Sequence, residues 1–331
     1  MTNPNQSQVE LLVLVGFKGV DQFRYWYFCV TLVGYLLIVV LNVCVVLVIC
    51  VQPSLHQPMY VFLSNLLFNT LLGCAAFYPK LLHDFLCDVQ LISRRGCIVQ
   101  AFCVHVYVAV ESNILMVMAF DRYVAIAHPL TYPTVLSSSR VYTLLTAAWT
   151  LPVVAYVSLL SLTSQLPLCA SHVNRTFCDN RSVMYLSCVD ISMLSLIELV
   201  FACTVVFLPM GVIFCCYVQI LTVSFQVTKS QRTNKALSTC IPHLVTYVGF
   251  VASIVFEIIQ PALVGKHVPH AFRVMMQMEG FLVLPLLNPL IYGVKLPGIR
   301  DSIRRLLRKN LHNLNWKHAW VLPTTTPNRD T

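Results

Sequence analysis

Two adjacent side chains, Asp121 and Arg122, stand at the end of an apolar stretch, Ala101 to Phe120, in which only His105 and Glu111 can carry charge. A carboxylate beside a guanidinium forms a charge-assisted hydrogen bond. At membrane depth such groups are costly unless paired or hydrated, which makes them candidates for function. The plainer alternative is a charged flank where a spanning helix meets water. Glu111 precedes Arg122 by eleven residues, about three helical turns or about 16 Å along one face. A carboxylate there points into a bundle, either as a proton- or Na+-binding switch or as a protonated acid bonded to a neighbouring carbonyl. No paired carboxylates, nucleophile elbow, phosphate loop or metal cluster accompanies these residues, and no C-x-x-C occurs. No enzyme activity, metal or organic cofactor is expected, only a proton or Na+ at Glu111.

The elements that must hold these groups are membrane helices. The chain of 331 residues is 57% apolar and 11% charged, where soluble domains carry about 25% charged residues. Seven apolar runs, at about 25–50, 58–82, 97–122, 141–163, 194–221, 236–260 and 272–294, each approach the roughly 20 residues that a bilayer requires. The expected fold is an all-α seven-helix membrane bundle. Pro79, Pro152, Pro209, Pro242, Pro285 and Pro289 fall inside the runs, where proline kinks are tolerated. Lys and Arg are densest from Lys295 to Lys309, which puts the C-terminus inside and residues 1–24 outside. Ile299, Ile303, Leu306 and Leu307 share one face against Arg300, Arg304, Arg305 and Arg308, so 297–309 reads as a helix lying on the membrane surface. Residues 310–331 read as a disordered tail. The formal charge of +9 suits acidic lipid headgroups or an acidic partner face, not nucleic acid. Of the 14 cysteines, most lie inside apolar runs. Cys97, Cys169, Cys178 and Cys188 lie in or beside polar loops and can pair, and spacing leaves the pairing open. Sequons begin at Asn5, Asn174 and Asn180.

Met118-Ala-Phe-Asp-Arg-Tyr-Val-Ala-Ile-Ala-His-Pro-Leu130 resembles the third-helix end of olfactory receptors, a branch of the rhodopsin-like G-protein-coupled receptors, with Phe120 and Ala127 departing from the usual pattern. Leu55-His-Gln-Pro-Met-Tyr60, Lys235-Ala-Leu-Ser-Thr-Cys-Ile-Pro-His-Leu244 and Pro285-Leu-Leu-Asn-Pro-Leu-Ile-Tyr292 resemble three further motifs of that family. Asn69, Leu71, Gly73 and Phe77-Tyr-Pro-Lys80 are similar to the fish receptors. Thr70 stands where the wider superfamily has an aspartate, Pro242 replaces a serine, and Val251 replaces an aromatic.

The resemblance implies a plasma-membrane receptor, in sensory neuron cilia, that binds a small odorant from outside. It then activates a heterotrimeric G protein of the stimulatory type, raising cAMP. Asp121, Arg122, Tyr123, Tyr217, Asn288, Pro289 and Tyr292 form the implied switch, and Glu111, Asn69, Thr70 and Asn288 an inner polar site. Bridges Cys97–Cys178 and Cys169–Cys188 would fix a lid, residues 164–193, over the bundle. The implied pocket lies among the third, fifth, sixth and seventh helices. Its candidate residues are Ala101, Val104, His105, Val108, Ala109, Ser112, Phe201, Ala202, Val205, Val251, Ile254, Val255, Ile258, Met278 and Phe281. Most are apolar, so desolvation and van der Waals contact would dominate binding. His105 either touches an acidic odorant or bonds within the core. Glu198 faces either the pocket or the lid. Trafficking chaperones and membrane lipid are further expected partners. Two other readings stay open: a rhodopsin-like receptor for a non-odorant molecule outside the nose, and a ligand-gated channel or transporter using Glu111, Glu257 and Glu279. The seventh run has no lysine before Lys295, so a retinal Schiff base has no amine at mid-membrane.

Overall fold

Lipid offers the backbone no hydrogen-bond partners, so each apolar run has to close its own ladder of amides and carbonyls. All seven do so as helices. The computed structural model describes residues 9–17, 21–226, 231–263, 270–306 and 308. In chain order the helices are α1 (Arg24–Val51), α2 (Pro58–Leu86), α3 (Arg94–Ala127), the short α4 (Tyr132–Val135), α5 (Ser138–Ser164), the short α6 (Asn180–Met184), α7 (Ser192–Gln226), α8 (Gln231–Leu263) and α9 (His270–Lys295). A final helix, α10 (Pro297–Leu306), leaves the Gly280–Lys295 part of α9 at 85°. Six of these are long and apolar enough to cross a membrane, and the α9–α10 pair brings the number to seven. An 85° bend takes α10 out of the span. With 26 residues, α9 is about 39 Å long and needs no help to cross.

α3 is the axis of the bundle, with 67% of its apolar window buried and α2, α5, α7 and α8 packed against it. Ser93 caps its start, accepting from Gly96 N at 3.0 Å. It does not end at Asp121–Arg122, as the charges suggest, but runs one turn further to Ala127. At Gly73 α2 touches α3 so closely that a Cβ would lie 2.6 Å from the Tyr107 ring.

Four of the helix prolines are matched by side chains on neighbouring helices. A proline at position i has no N–H for the carbonyl at i−4, and in lipid that carbonyl has to find a donor. Pro289 frees the Pro285 carbonyl, which accepts from Asn42 Nδ2 of α1 at 3.0 Å. Pro285 frees that of Phe281, which accepts from Tyr78 Oη of α2 at 2.9 Å. Pro209 frees that of Val205, which accepts from Ser112 Oγ of α3 at 3.0 Å. Pro152 frees that of Ala148, which accepts from Asn113 Nδ2 of α3 at 3.3 Å. Each of these four carbonyls is therefore also a link between helices.

The two ends of the bundle differ. At one, a three-stranded sheet joins β1 (Leu11–Leu14), β2 (Leu91–Ser93) and β3 (His172–Val173) in the order β2-β1-β3. β1 pairs antiparallel to β2 and parallel to β3. The N-terminal segment is thus part of a lid, with Leu12, Leu14 and Phe17 buried. At the opposite end α10 folds back on the bundle. Leu296, Ile299 and Ser302 are buried while Arg304, Arg305 and Arg308 are exposed. Leu55 and Tyr60 of the Leu55–Tyr60 motif hold it in place: a Cβ on Gly298 would lie 2.5 Å from Tyr60 Oη and 3.0 Å from Leu55 Cδ2. Leu307, Lys309 and residues 310–331 lie outside the described residues.

Candidate switch and ligand site

Arg122 donates to Asp121 Oδ2 through Nε at 2.8 Å and again through Nη2. The second carboxylate oxygen accepts from Tyr132 Oη of α4 at 2.7 Å. Asp121 is fully buried, and the Arg122 side chain is 14% exposed. Burial, then the charge of Asp121, push the Tyr132 phenol well above its ordinary pKa, so it remains a donor. The acid is held from both sides, by its own helix and by the connection to α5. Sequence reading missed Tyr132. It sits eleven residues past Asp121, and only the fold of the intervening turn brings it back. Tyr123 stays out of this network and bonds to His128 Nε2 at 3.2 Å.

Tyr217 and Tyr292 do not bond to Arg122. Tyr217 Oη meets His243 Nδ1 at 2.6 Å, and His243 Nε2 meets the Leu115 carbonyl at 2.9 Å. A carbonyl only accepts, so the imidazole proton is on Nε2 and Nδ1 accepts from Tyr217. His243 thus ties α8 to both α3 and α7, a role that its place in the Lys235–Leu244 motif did not disclose. Tyr292 is buried, its Oη beside Thr246 Oγ1 without meeting hydrogen-bond geometry.

The inner polar site is assembled from three helices. Glu111 Oε2 accepts from Asn69 Nδ2 at 3.0 Å, and Oε1 accepts from Asn288 Nδ2, next to Pro289, at 3.1 Å. Asn69 Nδ2 also reaches the Tyr107 carbonyl at 3.0 Å. All three residues are buried. Thr70 takes no part, because its hydroxyl bonds back to the Leu66 carbonyl at 3.1 Å. Glu257 is elsewhere, paired with Arg175 of the lid. Glu111 and Glu257 therefore belong to separate networks.

Both bridges implied by the resemblance are present, Cys97–Cys178 and Cys169–Cys188. They pin a lid that carries β3 and α6. Cys178 N donates to Gln100 Oε1 at 2.9 Å, and Phe177 meets Phe77 and Phe281 edge-on at 5.6 and 5.9 Å. Arg175 is ion-paired to Glu257 of α8, lies 3.8 Å from Asp179 and sits 5.8 Å from the Phe177 ring centre. Burial opposes its charge, but Asp179 and Glu257 more than offset that, and its pKa lies above the usual arginine value.

Among the pocket candidates, Phe281 belongs to an aromatic stack, 4.2 Å from Phe77 and 5.7 Å from Tyr107. The Ser112 hydroxyl is committed to the Val205 carbonyl. Ala202 and Val255 face outward, because the helical period carries them off the inner side. Ala101, Val104 and Ala109 are buried, while Val108, Val205, Val251 and Ile254 are half-buried. His105 donates from Nδ1 to the Ala101 carbonyl at 2.7 Å. Its ring lies 5.1 Å from Tyr156, and Tyr156 lies 6.4 Å from Phe201. Tyr156, not among the candidates, is the α5 residue packed beside His105. Glu198 faces the lid, where Oε1 accepts from Asn180 Nδ2 at 3.0 Å. That bond corrects the reading of Asn180 as a glycan acceptor: the residue is fully buried and its amide nitrogen is taken. Asn174 is exposed. Asn5 and the side chains of Ile258, Met278 and Glu279 lie outside the described residues.

A seven-helix bundle with an acid–arginine latch at one end and a disulfide-pinned lid at the other has the architecture of a rhodopsin-like G-protein-coupled receptor. A sequence profile of the olfactory receptor family matches residues 28–310. Human Olfactory receptor 6B1 is 33% identical over 305 residues, which is 91% of this chain and 96% of its own length. Human Olfactory receptor 6N1 is 32% identical over 310 residues, 93% of this chain and 98% of its own. Human Olfactory receptor 51I2 is 32% identical over 303 residues, 91% and 97%. The chain belongs to the olfactory receptor family and is a receptor, not an enzyme.

Proposed function

We propose that this receptor binds a small odorant beneath its lid and answers by activating a stimulatory heterotrimeric G protein, raising cAMP. The lid end faces outside and the Asp121 end faces the cytoplasm of a sensory cilium. The observation that carries the reading is the closed latch. Arg122 is held by a buried carboxylate that Tyr132 also grips, while Tyr217 is bonded to His243 instead. An odorant that favours another packing of α8 against α3 and α7 breaks the His243 links and frees Arg122 for the G protein. Ligand binding shifts the balance by its difference in affinity for the two states. Glu111 takes a proton or Na+ among Asn69 and Asn288, so α2, α3 and α9 sense the ionic state of the core.

The test is odorant-stimulated cAMP in cells expressing the receptor. Arg122→Ala should abolish the signal with surface expression intact. Undiminished signalling by that variant would remove the latch from the mechanism.

A further inference from the structure

We propose that Glu198, together with Tyr156, Phe201 and His105, forms a subsite for the protonated nitrogen of a small amine, whose apolar body lies along the aromatic rings. The inference rests on the small-molecule receptor reading and names the ligand class.

Glu198 is 9% exposed, two turns into α7. Its Oε1 accepts from Asn180 Nδ2, and Asn180 is itself fixed, its Oδ1 accepting from Thr163 Oγ1 at 2.7 Å. Oε2 is buried with no hydrogen-bond partner among the described residues. The nearest cation, Arg181 Nε, stays 3.8 Å away on a side chain that is 55% exposed. A carboxylate offers about four acceptor positions, and leaving one oxygen buried and unpaired costs free energy. One neutral amide on Oε1 and an ion pair without a hydrogen bond on Oε2 leave Glu198 room for a further donor.

The surroundings select which donor fits. Tyr156 of α5 stands between the His105 and Phe201 rings, 5.1 and 6.4 Å from their centres. Phe201 follows Glu198 by three residues, on the same helical face, and its ring neighbours that of Tyr156. Aromatic faces attract cations. His105 is held in this arrangement by its Nδ1 contact with the Ala101 carbonyl at 2.7 Å. A buried carboxylate oxygen beside two rings suits an ammonium and repels a carboxylate. An acidic odorant at His105, one of the two readings of that residue, therefore fits this site poorly. Arg181 acts as a competing internal cation that an amine displaces towards solvent.

The experiment uses the full-length receptor in cells, with cAMP and calcium readouts and surface staining. The probes are straight-chain amines, alcohols and carboxylic acids of equal length. The native receptor should answer the amines at lower concentration than the alcohols or acids. Glu198→Gln keeps an acceptor for Asn180. It should raise the amine EC50 about tenfold, the loss of one charge-assisted bond, and leave alcohol responses within about twofold. Arg181→Ala should lower the amine EC50. Glu198→Asp, charged but shorter, should fall between native and Glu198→Gln. Preference for alcohols or acids, or equal loss across all three classes in Glu198→Gln, overturns the subsite and leaves the receptor reading intact. Silence to every class, with receptor at the surface, overturns both.

Discussion

At the scale of single residues, what matters is whether each buried acid is fully partnered. Asp121 is: Arg122 takes one oxygen and Tyr132 the other. A hydrogen bond to a charged acceptor contributes about 1.5–3 kcal/mol. Tyr132→Phe should therefore raise odorant-free cAMP severalfold per surface receptor, and Tyr123→Phe should not; equal basal signals in the two would show that Tyr132 does not restrain the latch. Glu111 is also partnered on both oxygens, by Asn69 and Asn288. Asn288→Ala leaves one of these oxygens without its donor. It should lower the melting temperature of purified receptor, whereas Thr70→Ala should change it little, because Thr70 bonds only within its own helix. Similar losses in both variants would put Thr70 back in the site. The Asp121–Arg122 pair and the inward face of Glu111 were legible because charge at membrane depth is rare and helical spacing sets its face, whereas Asn69 and Asn288 came only from the family resemblance, which also named Thr70. Tyr132 and His243 were not, since a phenol or an imidazole in a loop or helix signals nothing until the fold supplies its partner.

At the scale of elements, prolines and their donors explain how the kinked helices stay attached. The prolines were visible in the sequence, and so was the carbonyl each one frees, four residues earlier. The donors Asn42, Tyr78, Ser112 and Asn113 were not assignable, because they come from helices distant in sequence, and Ser112 was read as a pocket residue instead. Ser112→Ala should cost about 1–3 kcal/mol, the penalty for a buried polar group left unpaired, seen as a lower melting temperature in detergent. In Pro209→Ala the new N–H can take the Val205 carbonyl itself. Adding that change should recover much of the stability lost in Ser112→Ala. If Ser112→Ala is as harmful in the Pro209→Ala background as in the native one, the hydroxyl has some other use. The helix ends lie within five residues of the expected ones, the largest differences being the extra turn of α3, the end of α7 at Gln226 and the start of α8 at Gln231. No charge or apolar pattern marks Ala127 as an end; Pro129 and the turn after it do.

At the scale of the whole molecule, the two ends are linked through α8. At the latch end His243 ties α8 to α3 and α7. At the lid end Glu257, on the same helix, holds Arg175. The sequence pointed to a disulfide-pinned lid, but not to the N-terminal strand that completes it, since a four-residue strand, Leu11–Leu14, pairs only with segments far along the chain. Arg175 is flanked by Asp179 and Phe177 and so remains bound to the lid when Glu257 is removed. The variant Glu257→Gln therefore detaches α8 from the lid without loosening the lid itself. A helix pinned at both ends has to release one end to move, so freeing the lid end should raise basal cAMP and speed the decay of signalling after odorant washout. An isolated, partly exposed ion pair is worth up to about 1 kcal/mol, so the change should stay below about fivefold. Arg175→Glu alone places like charges together and should exceed that effect. The double exchange Arg175→Glu with Glu257→Arg restores opposite charges and should return both readouts towards native. Additive effects in the double exchange would mean that the pair is incidental and that α8 is restrained at its His243 end alone.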